Sequence, residues 1–174
     1  AYDATMHLLH LGHTRIGFIQ GPAGHVASQD RLSGFYRALT ARNIEHDGEL
    51  VRQGDWSFDA GLACARELLS LAHPPTALVA SCDDEAAGAV QAIWERGWNC
   101  PRDISVVGFD DNAMARQMCP PLTTVRQPVY EIATTAMSIL IEQLIPNGPV
   151  PSEVLLSTSL VVRRSTAPVS RPNR

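Results

Sequence analysis

The chain has 174 residues, of which 45% are hydrophobic, with 14 basic residues against 18 acidic ones and a formal net charge of −4. That is enough apolar material for one sizeable core without disulfides or a metal, and there is no dense basic stripe to neutralise a phosphate backbone, so this chain is not expected to bind DNA by itself. All the basic residues are arginines, and the lack of lysine excludes a P-loop lysine, a Schiff base and a lysine partner for an aspartyl phosphate.

Strand-like runs alternate with helix-period segments, the pattern of βαβ units around a parallel sheet, and one domain over 1–174 is expected. A helix carrying His7 and His10 should end at Gly12. The first strand is RIGFIQ at 15–20, closed by Gly21-Pro22. Ser28 can cap a helix whose Leu32, Phe35, Tyr36 and Leu39 share one buried face. A short strand at 50–53 leads into Gly54-Asp55-Trp56. Ser57 is the next cap, for a helix with Phe58, Leu62, Ala65 and Leu69 on its apolar side.

TALVA at 76–80 is short, apolar and followed at once by polar residues, as in a strand buried on both faces. Asp83, Asp84 and Glu85 open the next helix, where negative charge favours the dipole and Asp83 can cap. ISVVGF at 104–109 is another central strand, ending at Asp110-Asp111. A turn at Pro120-Pro121 precedes a strand at 122–126, and Pro128 opens a final helix to about 145. Val129, Ile132, Met137, Leu140, Ile141 and Leu144 leave little of that helix polar. It should bury two faces, one on the sheet and one on a partner. Residues 154–163 suit an edge strand, and 166–174 read as a flexible tail.

No apolar stretch reaches the roughly 18 to 20 residues that span a bilayer, and no signal-peptide pattern opens the chain. Cys64, Cys82, Cys100 and Cys119 form no C-x-x-C pair, so free thiols in a cytoplasm are the plain reading and no cofactor is implied. In open parallel sheets, ligands bind beyond the carboxyl ends of the strands. Arg31, Trp56, Cys82, Asp83 and Asp110 all fall there. A carboxylate accepting hydroxyls, a guanidinium donating several bonds and an indole covering C–H groups suit a neutral polyol. Taken singly, each has a plainer reading: Asp83 as a helix cap, Arg31 paired with Asp30 or Asp55, Trp56 as packing. His7, His10 and His13 lack adjoining cysteine or acidic ligands for a closed metal site. There is no G-x-S-x-G elbow, and the acidic clusters lack the other parts of a phosphoryl-transfer site.

HLLHLGHTRIGFI at 7–19, RLSGFYRAL at 31–39, GDWSFDAG at 54–61, DISVVGFDD at 103–111, PPLTTVRQP at 120–128 and RRSTAP at 163–168 together resemble the lactose-repressor and galactose-repressor (LacI/GalR) family, in order and spacing. The resemblance implies a three-layer, mainly parallel sheet flanked by helices, one lobe of a type I periplasmic-binding-protein-like core. It implies a bacterial transcription regulator that binds a small effector, expected to be a sugar, and reaches DNA only through an N-terminal headpiece outside this chain. Such a protein is not an enzyme. Arg31 and Asp110 match the family's ligand-binding arginine and aspartate, and Trp56 its ligand-packing aromatic. Cys82 stands where many members have a ligand-binding asparagine, just before the aspartate equivalent to Asp83. The helix over 128–145 is expected to cross to the absent lobe or to pair with a second copy, as a homodimer. Two alternatives are a periplasmic sugar-binding protein of a transporter, which needs an export signal, and a magnesium-dependent phosphotransfer or hydrolytic enzyme using Asp83, Asp110 and Asp111.

Overall fold

A computed structural model describes residues 1–144 and 153–169 of the chain. Its helices are α1 (Tyr2–His10), α2 (Val26–Thr40), α3 (Phe58–Leu69), α4 (Asp83–Glu95), α5 (Ala113–Gln117) and α6 (Val129–Gln143). The strands are β1 (Ile16–Gln20), β2 (Val51–Gln53), β3 (Ala77–Ala80), β4 (Ser105–Asp110), β5 (Thr123–Arg126) and β6 (Ser159–Val161). They form one sheet in the order β2-β1-β3-β4-β5-β6. Every pairing is parallel except the last, where β6 runs antiparallel to β5. The expected α/β architecture with an edge strand near the C-terminal end is what forms.

The strands read as apolar runs because both faces of the sheet are covered. In β3, Ala77 and Val79 point to a core shared with Leu8, Phe18, Phe35 and Leu39 from α1, β1 and α2. The alternate residues, Leu78 and Ala80, point to a second core with Ala65, Leu68, Ala89 and Ile93 from α3 and α4. The period of two thus sorts side chains between two helical layers. Phe18 and Phe35, with ring centroids 4.9 Å apart, add about 0.5 to 1.5 kcal/mol beyond the area they bury.

Adjacent strands β1 and β3 feed helices on opposite faces, α2 and α4, so the chain parts beyond their carboxyl ends. This topological switch point is where an open α/β sheet leaves a crevice. The helices entering there differ in detail from the sequence expectation. α2 begins at Val26 with His25 as N-cap and no side-chain capping bond. Ser28, already inside the helix, instead donates its hydroxyl to the Gly21 carbonyl at 2.9 Å, tying α2 back to the end of β1. Ser57 does cap α3, accepting the Ala60 N–H at 3.1 Å. At α4 the cap is Cys82, whose sulfur accepts the Glu85 N–H at 3.3 Å, and Asp83 is the first helical residue.

Two expectations at the C-terminal side are corrected. No residue of α6 is buried, so neither face packs on the sheet: the helix leaves the domain after Pro128, and the described residues leave it uncovered. Ile145, the expected end of that helix, lies outside the described residues. The tail was expected to be free from 166 on, yet 166–169 dock. Ala167 donates its N–H to Ser105 Oγ at 3.1 Å and accepts at its carbonyl from the Ser105 hydroxyl at 3.2 Å, while its carbonyl also meets His13 Nε2 at 2.9 Å. The Val169 N–H donates to the Leu11 carbonyl at 3.0 Å. Backbone groups led over a buried edge need partners, and β4, α1 and its following turn supply them. Residues 170–174 lie outside the described part.

Candidate effector site

At the switch point a cavity of about 260 Å³ is lined by Arg31, Trp56, Cys82, Asp84 and Asp110. They reach it from four places in the fold: Arg31 from the second turn of α2, Trp56 from the loop after β2, Cys82 and Asp84 from the start of α4, Asp110 from the end of β4. Four of the five residues singled out in the sequence therefore meet around one space. Asp83 does not. Its side chain turns inward, fully buried, with Oδ1 accepting the Thr124 hydroxyl at 2.5 Å and Oδ2 the Asn112 N–H at 2.9 Å. It braces α4 against β5 and the β4–α5 loop. Its exposed neighbour Asp84 faces the cavity instead.

Arg31 is held from three sides. Its guanidinium lies over the Phe109 ring, 3.9 Å from the centroid, and 5.9 Å from the Trp56 ring. Nη1 donates to the Ser81 carbonyl, and Nη2 stands 3.9 Å from Asp110 Oδ1. Neither Asp30 nor Asp55 is its partner. Burial lowers the arginine's pKa, a shift opposed first by Asp110, and an arginine remains charged at any physiological pH. Its fork keeps donors free to point into the cavity.

Asp110 has a backbone φ of +122° and Asp111 one of +57°. The first is rare outside glycine and persists only where the surroundings impose it. The imposition is visible: Gln127 donates to Asp110 Oδ1 at 2.5 Å, and Asp111, with 1% of its side chain exposed, accepts from Arg126 at 2.6 Å and from Arg163. Burial raises the Asp110 pKa, with Gln127 and Arg31 pulling the other way. For Asp111 burial also pushes upward, but the bonds from Arg163 and Arg126 prevail and hold it below the ordinary range. These contacts tie the end of β4 to the segment between β5 and α6 at Gln127 and to the segment after β6 at Arg163. Asp111 is consumed by this clamp.

Burial pushes the Cys82 thiol up to about 12, so it faces the cavity as a neutral SH and not as a nucleophile. Three side chains that matter locally were not singled out as site residues in the sequence. Asp84 and Glu85 passed as two of three helix-opening acids, and Ser81, which stands with Glu85 behind Trp56, carried no motif. Two of the three clustered histidines are otherwise engaged: His7 with Thr166 at 3.0 Å, and His13 with Thr76 and Ala167, each at 2.9 Å. Among the described residues no group of three His, Cys, Asp or Glu is set to hold a metal ion. A larger hollow of about 660 Å³ lies on the outer side of α2, near Tyr2, Leu32, Tyr36, Arg37 and His46. Tyr36 stacks on His46, Arg37 covers Tyr2, His46 Nε2 meets Thr40 Oγ1 at 2.9 Å, and no carboxylate lines it.

A family model described as a periplasmic binding protein-like domain matches residues 5–166. The chain is 37% identical over 166 residues to the transcriptional repressor CytR of Escherichia coli, covering 95% of this chain and 49% of CytR. It is 36% identical over 163 residues to the transcriptional regulator CelR of Thermobifida fusca, with 94% and 48% covered. The chain thus spans about half the length of the curated relatives it matches. Among solved structures, a complex of the regulator CelR with cellobiose superposes with a TM-score of 0.90 at 36% identity, over 94% of this chain and 50% of that one. A dimeric lac repressor with a C-terminal deletion also gives 0.90, at 35% identity, over 96% and 60%.

Proposed function

Because the chain belongs to the periplasmic binding protein-like domain family, in the form found in the effector-binding core of LacI/GalR regulators, we propose that it forms one wall of an effector cleft that binds a neutral, hydroxyl-rich ligand, a sugar. The observation that carries this is the meeting of Arg31, Trp56, Asp84 and Asp110 at the switch point of the sheet. Two carboxylates against one guanidinium leave the wall with a net negative charge, which opposes phosphorylated ligands and suits hydroxyl donors. Each hydrogen bond to a charged group is worth about 1.5 to 3 kcal/mol. Three or four of them supply about 4.5 to 12 kcal/mol before the costs of association are met, and apolar contact of the sugar's C–H groups with Trp56 adds to them. Nothing in this requires a covalent step, and the reading is of binding without turnover.

The solved relative that holds cellobiose supports a sugar as the effector class. Cys82 lacks the amide that many family members have there, so cellobiose is a starting probe and not the assigned effector. In this reading the chain is the C-terminal half of the core of a cytoplasmic transcription regulator, joined to DNA through a headpiece outside it. α6, with Met137, Leu140 and Ile141 more than half exposed, is covered by the remaining lobe and by a second copy in a dimer. Among the described residues no helix is long and apolar enough to cross a membrane.

The test is a thermal-shift screen of cellobiose, other mono- and disaccharides, nucleosides and sugar phosphates against the full-length protein, followed by calorimetry. A neutral sugar or nucleoside should raise the melting temperature by mass action. Stabilisation by sugar phosphates alone would contradict the charge argument, and no stabilisation by any of them would contradict the reading as a whole.

A further inference from the structure

Behind the cavity wall lies a carboxylate that does not itself line it. Glu85, in the first turn of α4, has no solvent exposure. A carboxylate taken out of water is costly unless its oxygens are occupied, and both are occupied on behalf of one neighbour. Oε1 accepts the backbone N–H of Trp56 at 2.9 Å, and Oε2 accepts the Ser81 hydroxyl at 2.7 Å. The same Ser81 oxygen accepts the indole N–H of Trp56 at 3.0 Å, and the Ser81 carbonyl receives Arg31. One carboxylate therefore grips Trp56 twice, directly at its backbone and through a hydroxyl at its ring.

The surroundings are built around this grip. Trp56 has a φ of +69°, a left-handed conformation that bulky residues rarely adopt and that lasts only where it is over-determined. A Cβ at Gly54 would collide with Glu85 Oε1, and one at Gly21 would collide with the indole nitrogen. Glycine thus clears the space at both ends of the network. Burial raises the pKa of Glu85, while the bonds from Ser81 and Trp56 oppose the rise.

On the reading of this cavity as the effector site, we infer that Glu85 is a positioning residue: it sets the backbone and ring orientation of Trp56 and, through Ser81, locks that ring to Arg31, so that indole and guanidinium meet the ligand as one preorganised wall. Preorganisation of this kind raises affinity by removing the cost of ordering the wall on binding.

The experiment uses the full-length protein with Trp94 and Trp98, and any tryptophan outside this chain, replaced by Phe, so that Trp56 is the only reporter. Its emission and acrylamide quenching are compared with and without Glu85→Gln, Glu85→Ala and Ser81→Ala, with far-UV circular dichroism as the control for folding. Glu85→Ala and Ser81→Ala should each red-shift Trp56 and raise its quenching toward that of an exposed indole. Glu85→Gln should restore the native signal, because its amide oxygen still accepts the Trp56 N–H and its NH2 can donate to Ser81. If Glu85→Ala fails to fold, Ser81→Ala decides alone, since it leaves α4 and the backbone bond intact. Unchanged quenching in Ser81→Ala, or in a folded Glu85→Ala, overturns the inference. The binding arm uses cellobiose and the tightest sugar from the screen, for which Ser81→Ala should weaken affinity about tenfold, roughly 1.4 kcal/mol. If Asp110→Asn weakens binding while Ser81→Ala and Glu85→Ala leave it unchanged, the effector site stands and the role of Glu85 falls. If no neutral sugar or nucleoside binds the unaltered protein, the effector reading falls and the quenching arm alone judges Glu85.

Discussion

Asp83 makes the stability of this domain depend on pH with a definite sign. Its side chain is fully buried, and burial raises its pKa from 3.8 to about 6, against the smaller downward pull of the bonds from Thr124 and Asn112. Below about pH 3.8 the proton is bound in both the folded and the unfolded chain, and ionisation costs nothing. Between 3.8 and about 6 the folded protein keeps a proton that the unfolded chain has released, so stability falls as pH rises. A difference of about two pH units corresponds to about 3 kcal/mol, fully lost once the pH passes the folded value. The attraction of a charged Asp83 for the N-terminus of α4 works the other way but is worth only about 0.3 to 1 kcal/mol. Asp83→Asn cannot titrate, and its amide can still accept the Asn112 N–H while donating to the Thr124 hydroxyl. Urea unfolding of both proteins at pH 4, 5, 6 and 7, followed by circular dichroism, isolates the effect from every other titrating group. The variant should gain on the parent by up to about 3 kcal/mol between pH 4 and pH 7. A constant difference, or one that shrinks as pH rises, would refute the reasoning.

Three further outcomes follow from the same geometry. Asp111→Ala should destabilise by about 2 to 4 kcal/mol, through the buried end of Arg163 left without its carboxylate and through an alanine held at a φ of +57°, since Arg126 and Arg116 are half-exposed or more and exposed pairs contribute roughly 1 kcal/mol or less; urea unfolding at neutral pH measures it. Iodoacetamide at pH 7.5 should label Cys119, which is exposed, well before Cys64, Cys82 and Cys100, whose thiols are pushed up to about 11, 12 and 12 by burial; mass spectrometry of the digested protein reads the order. Met137→Glu with Ile141→Glu, one turn apart on α6, should shift sedimentation from dimer toward monomer, and an unchanged dimer would place the association elsewhere.

The order of strands and helices was legible because strands covered on both faces must be apolar throughout. Turns and caps punctuate them, as Ser57 does for α3. What the sequence hid were choices made by three-dimensional neighbours. Asp83 and Asp84 are adjacent acids opening one helix, and only the angle at which α4 meets the sheet decides which is buried and which faces the cavity. Ser28 looked like a cap, but β1 offered it a carbonyl from another element. The α6 pattern did signal a need for cover, yet nothing in it showed that both faces lie beyond this domain. Glu85 was read as a complement to the helix dipole, and its hold on Trp56 depends on a left-handed turn invisible to hydrophobic periodicity. Gly21 and Gly54 were the available hint, as small residues flanking the tryptophan at the ends of two strands.

The central claim is that Asp110 and Arg31 hold the ligand at the carboxyl end of the sheet. It is tested most directly by titrating cellobiose and the tightest neutral sugar from the screen into the full-length protein and its Asp110→Asn variant by calorimetry. Asparagine is the substitution of choice because it tolerates positive φ better than alanine, so the result reads the lost charge and not backbone strain. Loss of one hydrogen bond to a charged group, about 1.5 to 3 kcal/mol, predicts that affinity falls by roughly 10- to 150-fold. Equal affinity in the two proteins would contradict the account.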